Sequence, residues 1–109
     1  MNNTDHNKKK IFSMIGLATR AGKTVSGEFA TEKAVKSFQA ELVIVAEDAS
    51  DNTKKLFKDK SSFYEIPCYE FGVKEELGHA MGKEMRASLA VTDFGFAQSI
   101  RKLLDGTQN

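Results

Sequence analysis

Two hydrophobic rhythms alternate along the chain. Near the start, Ile11, Met14, Ile15 and Ala18 recur at steps of three and four, which places them on one face of an amphipathic helix. That helix is predicted to run to about Arg20 and to stop at Ala21-Gly22, with Gly22 as its C-terminal cap. Lys23 to Ser26 reads as a short extended piece, and a second helix begins near Gly27. On a helical wheel of this second segment Ala30, Thr31, Ala34, Val35 and Phe38 share one face, the predicted core face. Phe29 falls nearly opposite, with Lys33 and Lys36 beside it.

The rhythm changes at Leu42 to Ala46, where LVIVA is a continuous apolar, β-branched run of the kind buried on both faces of a sheet. Asp48, Ser50 and Asp51 are candidate caps for a third helix running to about Lys60, with Leu56 and Phe57 inward. Beyond Pro67, Cys68 to Phe71 reads as extended, VKEELGHAMG as a short helix, SLAVTD as the last strand and FAQSIRKLL as the closing helix. Alternation of this kind puts helices on both faces of a partly parallel sheet. The expected fold is therefore α/β, a three-layer α/β/α sandwich around a central mixed four-stranded sheet.

With 109 residues, 40% of them hydrophobic, the chain supports one continuous core and not two. A single proline and the lack of any repeat or low-complexity tract leave no sign of a linker. The domain is expected to span residues 8–105, between tails at 1–7 and 106–109. KKKIFSMIGLATR imitates a signal peptide, but Ser13 and Gly16 interrupt its apolar stretch, Arg20 closes it and no cleavage site follows. A membrane span is not expected either. The lone Cys68 cannot form an internal disulfide, which favours a reducing compartment, and the cytoplasm is the expected location.

Net charge is only +1, yet its distribution is uneven. Residues 1–39 carry seven Lys or Arg against three acids, and residues 40–109 carry nine against twelve. A basic partner surface would therefore be N-terminal.

Candidate chemistry is sparse. GLATRAGKT imitates a phosphate-binding loop, but five residues separate Gly16 from Gly22 where the motif needs four, and a helix precedes it where the motif needs a strand. Asp93-Phe94-Gly95 spells a kinase metal-binding triplet without the accompanying loops, so Asp93 reads as a helix cap. Glu47, Asp48 and Asp51 lack the ligand spacing and internal glycine of a calcium loop. Neither His6 nor His79 has a second histidine or a cysteine nearby at metal-ligand spacing, and Cys68 reads as a buried strand thiol without a basic neighbour. No base, nucleophile and orienting group fall into one arrangement, so an enzyme is not expected and neither is a cofactor.

What remains is the start of the second helix, where an aromatic ring faces outward among ammonium groups. Such a ring can stack a base, and the free amides of the helix start, with Lys23 before them, can receive a phosphate. In the plainer alternative Phe29 tucks under residues 21–26 and its lysines are merely solvated.

Five segments in this order, LATRAGK (Leu17 to Lys23), Gly27 with Lys33-Ala34-Val35, LVIVAEDAS (Leu42 to Ser50), KEELGHAMG (Lys74 to Gly82) and the run ending in Val91 to Asp93, cover nearly the whole chain. Through them the chain resembles the family of archaeal ribosomal protein L-seven-Ae, most closely its bacterial branch. The resemblance implies an α/β/α sandwich that binds kink-turn RNA without a cofactor. It implies a surface of Lys23, Ser26, Gly27, Glu28, Phe29, Ala30 and Lys33 from the second helix, joined by Glu84, Met85, Arg86 and Ala87 from the loop before the last strand. The wheel adds Lys36. Structured RNA, ribosomal RNA included, and ribosomal or translation proteins are the implied partners. Phe29-Ala30 and Val25-Ser26 depart from the archaeal pattern, which has an Asn-Glu pair and further basic residues there. A protein-interaction domain that kept the fold and lost the RNA is the second reading.

Overall fold

The computed structural model describes residues 3–108, and the side chains of residues 5–106. The elements, in chain order, are α1 (Asn3–Arg20), β1 (Thr24–Ser26), α2 (Glu28–Lys36), β2 (Leu42–Val45), α3 (Asp51–Phe63), β3 (Cys68–Glu70), α4 (Lys74–Ala80), β4 (Ser88–Val91) and α5 (Phe94–Gln108). The strands form one sheet in the order β1-β4-β2-β3. β2 is parallel to β3 and antiparallel to β4, and β1 is antiparallel to β4, so the sheet is mixed. α2 and α3 pack together on one face, and α1, α4 and α5 on the other. The three-layer α/β/α sandwich predicted from the alternation is the fold.

Position in the sheet explains composition. β2 and β4 are the inner strands and every residue of both is buried, which is why LVIV and SLAV carry no alternation. The edge strands β1 and β3 contain no fully buried residue. Ile11, Ile15, Phe57, Leu77, Ile100 and Leu104 fill the core from the helix layers. Thr31 and Ser88, both buried, pair their hydroxyls across α2 and β4 at 3.4 Å, the long end of hydrogen-bonding range.

Four helices end in the same turn. At the end of α1 the Lys23 amide donates to the Ala18 carbonyl and the Gly22 amide to Thr19, with Gly22 at φ 74°. This is the paired reverse bonding of a Schellman cap. The pattern recurs at Gly82 after α4, and also at Phe38 (φ 62°) and Glu65 (φ 58°) after α2 and α3, where a side chain occupies the left-handed position that favours glycine.

That geometry corrects the wheel. Phe38 is not core but 72% exposed, because α2 stops at Lys36 and the left-handed turn swings the ring out against Tyr64. Other boundaries move as well. α3 continues to Phe63 instead of ending near Lys60, since no glycine marks its stop. Ser50 caps α3 by accepting from the Thr53 amide, whereas Asp48 accepts from the Lys74 amide and so caps α4. Residues 3–7 and 106–108, expected as tails, are helical; Met1, Asn2 and Asn109 lie outside the described residues.

Candidate nucleic-acid interface

β1 delivers the chain to α2 through Gly27, the N-cap residue, whose φ of 91° and ψ of 159° suit glycine. Its amide donates to the Ser88 carbonyl at 3.0 Å, which anchors the helix start to β4. No side chain caps this end, so the amides of the first turn open outward with the positive end of the helix dipole. Glu28, in the first turn, is exposed. Phe29 is 81% exposed, which excludes the alternative in which its ring tucks under residues 21–26. Phe29, Glu32, Lys33, Lys36 and Ser37 line an open groove of about 310 Å³ along the outer face of α2. Lys36 pairs with Glu32 at 3.3 Å, a partly exposed surface contact of little energetic weight.

The loop before β4 arrives beside this helix start because β1 and β4 are neighbours, with Ser26 opposite Leu89. Arg86 fastens the junction. Its Nε donates to Ser26 Oγ at 3.0 Å, its Nη1 donates to the Met85 carbonyl, and its amide donates to the Lys74 carbonyl. Arg86 and Ala87 are half-buried, whereas Glu84 and Met85 are exposed. Gly78 makes the loop's course possible: a Cβ on it would lie 1.8 Å from the Glu84 carbonyl oxygen. The Gly82 turn then sends Lys83 back across α4, its amide donating to Gly78.

Of the residues expected at the site, the structure joins Ser26 to Arg86 directly and ties Gly27 to β4 through Ser88; Glu28, Phe29, Ala30 and Lys33 follow on the first turns of α2, Lys36 lies further along the same groove, and Glu84, Met85 and Ala87 flank Arg86 in the loop. Lys23 is the exception. Its carbonyl accepts from the Thr92 amide at the opposite end of β1, roughly 13 Å of strand from Gly27 at about 3.3 Å per residue. Its backbone is therefore set apart from the start of α2 by the length of β1. Two further residues adjoin the loop. Lys74 and Asp48 share an amide-to-carboxylate bond of 2.8 Å and adjoin Arg86 through its backbone. In the sequence only the capping habit of Asp48 points to such a bond, and there it points to α3 rather than α4.

The decoy chemistry resolves into structure. Asp93 Oδ2 accepts from the Phe96 amide at 2.9 Å, the cap expected of it. Glu76 accepts from the Val73 amide at the start of α4. Cys68 is half-buried on β3, and burial, with a smaller push from Glu70, raises its thiol pKa against the opposing Ser61 hydroxyl. Among the described residues no group of three or more His, Cys, Asp or Glu could hold a metal ion, and no helix is long and apolar enough to cross a membrane.

A mixed-sheet sandwich that sets an uncapped helix start, an outward ring and an arginine-pinned loop side by side offers cations, amides and a stacking face, the groups of a binding module. The chain belongs to the ribosomal protein L7Ae/L30e/S12e/Gadd45 family, whose model matches residues 9–101. It is 44% identical over 100 residues to the RNA-binding protein YlxQ of Enterococcus faecium, covering 92% of this chain and 96% of that one. It is 45% identical over 94 residues to the RNA-binding protein YlxQ of Bacillus subtilis, covering 86% and 94%. A solved structure of a Bacillus halodurans protein of unknown function superposes with a TM-score of 0.86 at 41% identity, covering 88% of this chain and 97% of the other.

Proposed function

We propose that this protein binds structured RNA of the kink-turn type through the start of α2 and the loop at 84–87, without catalysis and without a cofactor. The carrying observation is the Arg86 to Ser26 bond, which holds an arginine-bearing loop against an open helix start next to exposed Phe29 and Lys33. Phosphates would meet the free amides and the lysine, and an unpaired base would stack on the ring. Relatives named as RNA-binding proteins over nearly their whole length support the same reading. A cytoplasmic role in association with the ribosome or another structured RNA follows from it, with ribosomal or translation proteins as further partners.

The test is electrophoretic mobility of the purified protein with a kink-turn hairpin and with total cellular RNA at two salt concentrations. Wild type should bind, more weakly at high salt, and Lys33→Glu should lose affinity across all sequences, with the salt slope shallower by roughly one unit or more. Equal binding by the variant at low salt would remove α2 from the contact surface. If wild type binds no RNA at low salt the proposal fails, and the exposed Phe29 face is better read as a protein-contact surface.

A further inference from the structure

The apolar surface on the α2 side of the molecule does not end at Phe29. Where α2 and α3 terminate side by side, Phe38 and Phe63, 72% and 79% exposed, each meet Tyr64 edge to face, with ring centroids 5.4 and 5.0 Å apart. At these exposures the outer two rings keep most of their surface open to solvent. Phe38 reaches its place only by adopting the left-handed conformation, which costs a side-chain-bearing residue energy that glycine would avoid. The groove along the outer face of α2 runs from Phe29 past Lys33 and Lys36 to Ser37, the residue before Phe38. Stacking rings at both ends of a cationic strip make an arrangement suited to a flexible polyanion with aromatic bases.

We propose that this strip is a second RNA site, one that takes an unpaired strand leaving the structured element, with its phosphates on Lys33 and Lys36 and its bases stacked on Phe38 and Phe63. α2 rises about 1.5 Å per residue, so the platform lies roughly 14 Å beyond Phe29, within reach of a few nucleotides. The Glu32 to Lys36 pair, at 3.3 Å and with the lysine half-exposed, is weak enough to yield its ammonium to a phosphate. Occupation by single-stranded RNA is favoured over a protein partner because the strip is continuous with the surface at the start of α2 and carries lysines between its aromatic ends. The inference rests on the proposed RNA-binding function and extends it to a second class of RNA.

The experiment compares a blunt kink-turn hairpin with the same hairpin bearing a short oligouridine extension at either end, for wild type and for Phe38→Ser with Phe63→Ser. One extension should raise wild-type affinity about tenfold, in keeping with the stacking of one or two bases. The double variant should bind the blunt hairpin as wild type does and lose that gain, and ultraviolet crosslinks from the extension should map to peptides holding Phe38 or Phe63. Both rings are exposed, and a thermal melt checks that the variant folds. If the blunt hairpin binds and neither extension adds affinity, or if the variant keeps the gain, the second site is overturned while the primary reading stands. Failure of both RNAs to bind removes the primary reading itself. A wild-type dimer in sedimentation that the double variant dissolves would reassign the platform to self-association and overturn the inference.

Discussion

Arg86 and Ser26 lie 60 residues apart in the sequence and 3.0 Å apart in space, guanidinium Nε to hydroxyl Oγ. Through that bond the loop before β4 and the entry to α2 become one surface. Ser26→Ala should cost stability little, on the order of 1 kcal/mol, yet lower RNA affinity by freeing the guanidinium. Arg86→Ala should lower it further. The two effects should be non-additive, the double variant matching Arg86→Ala alone. Fluorescence anisotropy with a labelled hairpin measures all four proteins, and strict additivity would mean that Ser26 does not position Arg86.

Restoring the archaeal pair, Phe29→Asn with Ala30→Glu, should raise the preference for a kink-turn over an unkinked duplex of equal length. The new side chains supply base-edge donors and acceptors, a contact worth about 1 to 3 kcal/mol of discrimination on the scale of DNA bases. Stacking on a phenyl ring offers no comparable selectivity. Phe29 is exposed, so its exchange should leave the melting temperature alone; Ala30 is half-buried and accounts for any shift that occurs. A folded double variant with unchanged preference would place the limit on recognition at Val25, Ser26 or the 84–87 loop.

Gly78→Ala should damage the site from behind. The added methyl would fall 1.8 Å from the Glu84 carbonyl oxygen, and the neighbour is backbone, so the loop must move. The expected cost is about 1 to 3 kcal/mol in denaturant unfolding, with RNA affinity lost at temperatures where the protein remains folded. A variant of wild-type stability and affinity would mean that the loop does not need this close approach.

Glu65→Gly should stabilise the protein. Its φ of 58° is left-handed, and the exchange relieves that strain without removing any ring of the Phe38, Tyr64 and Phe63 cluster. A gain of about 1 kcal/mol would appear as a rise of roughly 4 °C or more in Tm. No rise, or a fall, would show that the turn after α3 carries no such cost.

The elements and the sandwich were legible because inner strands and amphipathic helices write their burial directly into the sequence. Leu42 to Val45 and the pair Ile11 and Ile15 needed no partner to be assigned. Phe38 was misplaced because a wheel assumes that the helix continues, and a left-handed stop without glycine gives no warning. The outward placement of Phe29 beside Lys33 and Lys36 could be read from local periodicity. Lys23 could not, since the distance between a turn and a helix start depends on how far the intervening strand carries the chain. The Asp48 to Lys74 bond spans 26 residues and is set by the parallel neighbours β2 and β3, which no local pattern records.

β1 is a three-residue edge strand, and its pairing with β4 joins Thr24 to Val91 and Ser26 to Leu89. A chain leaving the ribosome exposes α2 long before β4 has been synthesised, and until then neither the anchor at Ser88 nor the guanidinium at Arg86 exists. Only a polypeptide synthesised past β4 can hold both halves of the surface, so a shorter nascent chain would not compete with folded molecules for the proposed ligand.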